Sequence, residues 1–162
     1  MKRVHFVDTS ILCCMLRLPH FCDAEYAAVL EEFERIATCS DVLLLPLASV
    51  IETGNHIANV GDGNVRRAVA ITFADYLRDT VDNKAPWAFV EARWTARDLS
   101  NYADKFSDCA TRKIGFGDLS IIEEYRDYIS RVPGVSVRIW SLDHHLASHC
   151  YEAPEIDRRK GR

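Results

Sequence analysis

The chain has 162 residues, 48% of them apolar and 27% charged, a composition that fits one folded domain and excludes a disordered chain. Lys and Arg number 20 against 24 Asp and Glu, and the net charge of −4 excludes a strongly basic nucleic-acid coat while leaving room for a local basic patch. At this length roughly 69% of the extended chain's surface can be buried, so neither a metal nor a disulfide is needed to hold the fold.

No apolar run approaches the roughly 18 residues of a membrane span. Asp8 interrupts the apolar start Val4-His5-Phe6-Val7 before any signal-peptide core can form. A cytoplasmic protein is expected, with no membrane partner. The cysteines are Cys13, Cys14, Cys22, Cys39, Cys109 and Cys150. In a reducing compartment they are expected to be reduced, mostly buried thiols.

Lys2 to Val7 reads as a strand. Thr9 or Ser10 is expected to cap a helix beginning near Ile11, which Pro19 ends. Asp23 caps a helix from Ala24 to Thr38, with Ala27, Leu30, Phe33 and Ala37 as its apolar face. Val42 to Leu45 lacks alternation, as suits a strand covered on both faces. Leu47 to Ala58 is helical, and the turn residues Asn59 to Gly63 end it. Asn64 caps a longer helix reaching about Leu77 or Val81. Ala85 to Glu91 is a short strand or an extended loop.

Thr95 to about Lys113 is helical, with Leu99, Tyr102 and Phe106 on one side. Gly115-Phe116-Gly117 breaks the chain, and Asp118 opens a helix to about Arg131. Pro133-Gly134 turns into a strand from Val135 to Trp140, followed by a short helix from Asp143 to Cys150. Residues 151–162 form a charged tail behind a domain of residues 1–150, with Asp157 to Arg162 frayed. Strands separated by helices imply an α/β fold with a mostly parallel sheet, in which ligands collect beyond the carboxyl ends of the strands.

Acids recur at that end. Asp8 follows the first strand, Asp143 follows the last, Asp118 sits at a helix start, and Glu52 lies among Leu47, Ala48, Val50 and Ile51. Each Asp also suits a helix cap, and Glu52 suits a solvated helix face. Brought together, the four repel one another, and a hard divalent cation relieves that repulsion. Oxygen-only ligands favour magnesium or manganese over zinc.

The segments Val4-His5-Phe6-Val7-Asp8-Thr9-Ser10, Ser49-Val50-Ile51-Glu52, Gly117-Asp118-Leu119-Ser120-Ile121-Ile122 and Trp140-Ser141-Leu142-Asp143-His144-His145-Leu146 resemble, in order and approximate spacing, the four signature blocks of PIN-domain nucleases. The resemblance implies a PIN-like parallel sheet flanked by helices. It implies Asp8, Glu52, Asp118 and Asp143 as metal ligands and catalytic residues, one or two ions of Mg2+ or Mn2+, and hydrolysis of RNA phosphodiester bonds. Ser10 and Ser141 match positions where the family often has a hydroxyl beside the metal. Some members are toxins of toxin–antitoxin pairs, so an antitoxin protein and a homodimer are partners to test. This chain is longer than the compact toxin members, particularly between Asp118 and Asp143.

Other constellations are weaker. His145 and His149, with Cys150, have a spacing that binds zinc in some helices, but no second pair accompanies them. His144 abuts the acids and is assigned a substrate or supporting role. Arg112-Lys113 is the best phosphate-holding pair because it lies shortly before Asp118. Arg66-Arg67, Arg93 with Arg97, and Arg158-Arg159-Lys160 read as solvated surface. Trp87 and Trp94 have the chemistry to stack on bases, and core packing is the plainer use. The leading reading is a metal-dependent endoribonuclease. The rival is a non-catalytic RNA- or protein-binding module on the same fold. A phosphotransfer receiver wants an acidic pair where Val7 and Thr9 flank Asp8, and a haloacid-type phosphatase wants an acid where Ser10 stands.

Overall fold

Side chains of a strand alternate between the faces of a sheet. In the computed structural model, which describes residues 2–91 and 94–154, β1 (Arg3–Val7) sends Val4 and Phe6 into one apolar cluster and Val7 into another. Both faces are buried, so helices must cover both. The chain continues through α1 (Thr9–Met15), α2 (Tyr26–Thr38), β2 (Val42–Leu45), α3 (Leu47–Ala58), α4 (Gly63–Val81) and β3 (Trp87–Phe89). It then forms α5 (Ala96–Thr111), α6 (Phe116–Arg131), β4 (Ser136–Trp140), α7 (His144–Ala147) and β5 (Cys150–Tyr151).

The sheet order is β3-β2-β1-β4-β5, parallel except for β5, which runs antiparallel to β4. The chain moves outward from β1 through β2 to β3, then returns to the other side of β1 as β4. The strand order therefore reverses between β1 and β4, and a crevice opens at such a point beyond the carboxyl ends. On one face, Phe6, Val137 and Ile139 pack against Leu119, Ile122 and Tyr125 of α6 and Tyr102 of α5. On the other, Val7, Leu43, Leu45 and Trp140 pack against Ile11 and Leu12 of α1 and Val29 and Ile36 of α2. Among the described residues no helix is long and apolar enough to cross a membrane.

Several expectations change. Asp8, rather than Thr9 or Ser10, caps α1, accepting the Ser10 N–H at 3.1 Å. That helix ends at Met15, before Pro19, because Arg17 adopts φ 53° and the Leu18 N–H turns back to the Cys13 carbonyl at 3.0 Å. Glu25, not Asp23, precedes α2, whose inward positions are Tyr26, Val29, Phe33 and Ile36 rather than Ala27, Leu30, Phe33 and Ala37. Both sets have helical spacing, and the one carrying the larger apolar area faces the sheet. Asp62 rather than Asn64 caps α4, accepting from the Asn64 and Val65 N–H groups. On α5, Tyr102 and Cys109 are buried while Leu99 is 54% exposed.

The last helix is shorter than expected. It stops at Ala147 because the His149 carbonyl accepts the Ile139 N–H at 3.0 Å and the chain passes into β5. The sheet thus continues beyond residue 150, and the buried Ala153 donates its N–H to Ser136 Oγ at 3.0 Å. Cys14 and Cys22 form a disulfide, which corrects the expectation of six thiols. The early end of α1 brings their Cα atoms to 5.3 Å, within bridging range. Cys13 and Cys109 are buried thiols, and Cys39 and Cys150 are exposed ones. Trp87 is buried and donates to Thr80 Oγ1 at 2.8 Å, while Trp94 is 46% exposed and lies edge-on to Tyr102 and Phe116. The expectations for Arg93, for Arg158-Arg159-Lys160 and for the frayed end Asp157 to Arg162 lie outside the described residues.

Candidate active site

The crevice between β1 and β4 is closed by hydrogen bonds that converge on one carboxylate. Asp8 directly follows β1 and is 3% exposed. Its Oδ2 accepts from the Ser10 N–H at 3.1 Å, Ser10 Oγ at 2.6 Å and Ser141 Oγ at 2.7 Å. Each hydroxyl spends its single proton on Asp8 and is left as an acceptor. Ser10 Oγ then accepts the Leu142 N–H at 2.9 Å, and Ser141 Oγ accepts the Asp143 N–H at 2.9 Å. The two serines therefore tie the ends of β1 and β4 together and fix Asp8 between them.

Glu52 arrives from α3, in the helix that β2 feeds through Pro46. Thr9 Oγ1 donates to its Oε2 at 3.1 Å. On its other side lies Gly117, in the first turn of α6. A Cβ at position 117 would stand 1.9 Å from Glu52 Oε1, so glycine is the residue that lets this carboxylate approach the helix backbone. Burial holds Glu52 above the usual carboxylate range, and the charges of Asp118 and Asp8 push it further in the same direction.

Asp118 accepts the Gly115 N–H at 3.1 Å and so closes the first turn of α6. Burial raises its pKa, the charges of Asp8 and Asp143 add to the rise, and His145 opposes it. Asp143 is exposed and caps α7, accepting from the His145 N–H at 2.8 Å and the Leu146 N–H at 3.0 Å. The four acids are thus linked electrostatically: Glu52 with Asp118 and Asp8, and Asp118 with Asp8 and Asp143. Asp8, Asp118 and Asp143 also serve as helix-terminal acceptors, each through one carboxylate oxygen. Among the described residues, no group of three or more His, Cys, Asp or Glu side chains stands close enough to hold a metal ion as arranged.

The other expected residues divide. Ser10 and Ser141 are joined to Asp8. His144 is exposed, and it is the neighbouring His145 whose charge reaches Asp118. Arg112 reaches back along α5, donating to the Asp108 carbonyl at 3.2 Å. Lys113 is exposed at φ 62° on the turn after that helix. No hydrogen bond or ion pair joins Arg112 or Lys113 to the four acids among the described residues.

Thr9 and Gly117 were not foreseen as parts of the site. Their one signal in the sequence is adjacency, Thr9 to Asp8 and Gly117 to Asp118, and adjacency does not reveal that both converge on Glu52. Comparison of the chain with protein-family models finds no match, and comparison with curated proteins finds no significant similarity.

Proposed function

We propose that the protein is a metal-dependent ribonuclease of PIN type, hydrolysing RNA phosphodiester bonds at Asp8, Glu52, Asp118 and Asp143. One observation supports this reading above the others. Four carboxylates from four separate chain segments feel one another's charge at the point where the strand order reverses. A fold gains no stability from such repulsion, so the arrangement calls for a cation. The donor chemistry fits a hard divalent ion, because every ligand is a carboxylate oxygen. Magnesium or manganese would be held by these four residues, and when bound it would supply acidification of water and stabilisation of charge on the phosphate.

The chain's own residues prepare the site for that ion. Ser10 and Ser141 occupy Asp8 Oδ2, which leaves Oδ1 for a further ligand. The helix termini hold Asp118 and Asp143 by one oxygen each and leave the second. Thr9 holds Glu52 by Oε2. Each carboxylate is held by one oxygen, and binding an ion would need the four side chains to draw closer together than they stand here.

The competing reading, a binding module without catalysis, is favoured by the same helix caps. They explain three aspartates without any chemistry. Incubation of the purified protein with structured and single-stranded RNAs, in manganese, in magnesium and in chelator, separates the two. Cleavage that needs the metal and falls at least about a hundredfold in Asp8→Asn supports the nuclease, since an amide is a poorer ligand and caps a helix equally well. Full activity in Asp8→Asn, or in chelator, overturns it.

A further inference from the structure

A polyanion approaching four carboxylates on a chain of net charge −4 meets repulsion, and only nearby cations can offset it. Beside the acids lies a cavity of about 400 Å³ between α5, α6 and α7. Two of its lining residues border the acid site directly. Leu119 follows Asp118, and His145 donates its backbone N–H to Asp143. None of the four acids lines the cavity, but these two lining residues sit within two positions of Asp118 and Asp143 on α6 and α7.

Its polar lining includes Arg112, Arg126, Lys105, His145 and His149. Glu123 occupies two of these cations, taking Arg126 at 2.7 Å and Lys105 on its other oxygen. Arg112 differs. Its bonds are to the Asp108 carbonyl and, weakly, to Cys109 Sγ at 4.0 Å, and no carboxylate pairs with it among the described residues. A guanidinium has five N–H donors in a fork that matches phosphate oxygens, and most of that fork is unspent here. The rings of His145 and His149 meet edge-on with centroids 5.7 Å apart, so both imidazoles stand together in the lining. Ile114 and Ile122 supply an apolar surface for a sugar or base. Asp104 and Asp108 share the lining, so its charge suits one phosphate rather than several.

We propose that this cavity is a phosphate subsite for the RNA strand, holding a backbone phosphate next to the one at the four acids, with Arg112 as its principal ligand and His145 and His149 as further donors. The assignment rests on the nuclease reading for its ligand. It replaces the pair Arg112-Lys113 with a set that meets in space, and Lys113 falls outside it.

Two measurements on the full chain test it. In the first, a nuclease-resistant 2′-O-methyl oligonucleotide is titrated in chelator against wild type, Arg112→Ala, Arg112→Glu and, as a control on a remote helix, Arg78→Ala. The expected result is binding weakened about tenfold in Arg112→Ala and more in Arg112→Glu, with the salt slope reduced by about one, and no change in Arg78→Ala. In the second, cleavage kinetics in manganese should show a higher KM in Arg112→Ala with kcat within about twofold of wild type, because binding lost equally from ground and transition state raises KM alone. Arg112 lies on the surface, and an unchanged thermal melt confirms that the variants fold. Equal oligonucleotide binding and equal salt slope in wild type and Arg112→Glu overturn the subsite. Absence of cleavage by wild type overturns the nuclease reading instead, and the chelator titration still decides whether Arg112 binds the strand.

Discussion

Two groups of charged side chains lie on this sheet, and they are built in opposite ways. The first sits on the α2 face. Arg138 of β4 donates to Nδ1 of the fully buried His5 at 2.7 Å, which leaves the Nε2 proton to face Asp41 at 3.0 Å. Arg138 also bonds Glu32, and Arg35 bonds Glu32 at 2.7 Å. Every charge in this group has an opposite neighbour. The hydrogen bond from Arg35 is the largest influence on Glu32 and, with Arg138, takes its pKa down to about 2. Among the described residues, no Lys or Arg is hydrogen-bonded or ion-paired to the second group, Asp8, Glu52, Asp118 and Asp143. Its buried members are satisfied by hydroxyls and backbone N–H groups, and Glu52 and Asp118 are pushed up where Glu32 is pulled down. A sheet can bury ions of both signs for stability. The four carboxylates at the topological switch point lack that pairing, and under the proposed function a cation would supply it.

The largest expected effect comes from breaking the balanced group. Arg138→Met leaves His5 Nδ1 and part of Glu32 without a donor, and stability should fall by roughly 2–3 kcal/mol in urea unfolding, at the low end for a buried pair because Arg138 is partly exposed. Under the proposed function, any cleavage by the fraction that remains folded should depend on metal as in wild type. A variant as stable as wild type would show that the group adds nothing to stability.

The acid site is expected to break without losing stability. Gly117→Ala puts a methyl where Glu52 now lies and drives that flexible carboxylate aside. Helix propensity favours the variant by up to about 1 kcal/mol, while activity should fall tenfold or more, roughly 1.4 kcal/mol of transition-state stabilisation. Adding Glu52→Asp shortens the displaced side chain and should recover part of the loss. No recovery in the double variant would remove Gly117 as a positioning residue.

The smallest effect sharpens the contrast through pH. A carboxyl whose folded pKa is raised binds more protons folded than unfolded across that window. Its favourable contribution is present below the unfolded value and is lost as pH rises through the folded one. Glu52→Gln should therefore be more stable than wild type at pH 8 in chelator, where burial and the charges of Asp118 and Asp8 disfavour the ionised carboxylate, and no more stable at pH 3. Glu32 has the opposite sign, stabilising at neutral pH and losing its contribution as pH falls from about 4.5 toward about 2. Thermal melts of Glu52→Gln and Glu32→Gln against wild type across pH decide the pair of slopes. Equal slopes would mean that the two groups do not differ in kind.

The periodicity of the chain makes much of this architecture legible. Leu47–Ala58 is helical over the residues expected, and Val42–Leu45 is a strand over the residues expected. The alternation of strands and helices carries the α/β class and the parallel sheet. The four acids are legible as residue types, Asp8 and Asp143 after strands, Asp118 at a helix start and Glu52 within the helix after β2. Helix phase was less so. On α2 and α5 two apolar stripes of equal spacing overlap, and spacing alone cannot rank them.

The sequence by itself determined which segments are strands and helices and where carboxylates follow strands, because these depend on residues a few positions apart. Only the tertiary structure decided that Arg138 meets His5, since that contact needs the register between β1 and β4. It alone decided that Gly117 clears space for Glu52, that Cys22 returns to Cys14, and that Cys150–Tyr151 pairs antiparallel with β4. These contacts join segments whose distance is set by how the helices cross the sheet, and local propensity contains no information about that distance.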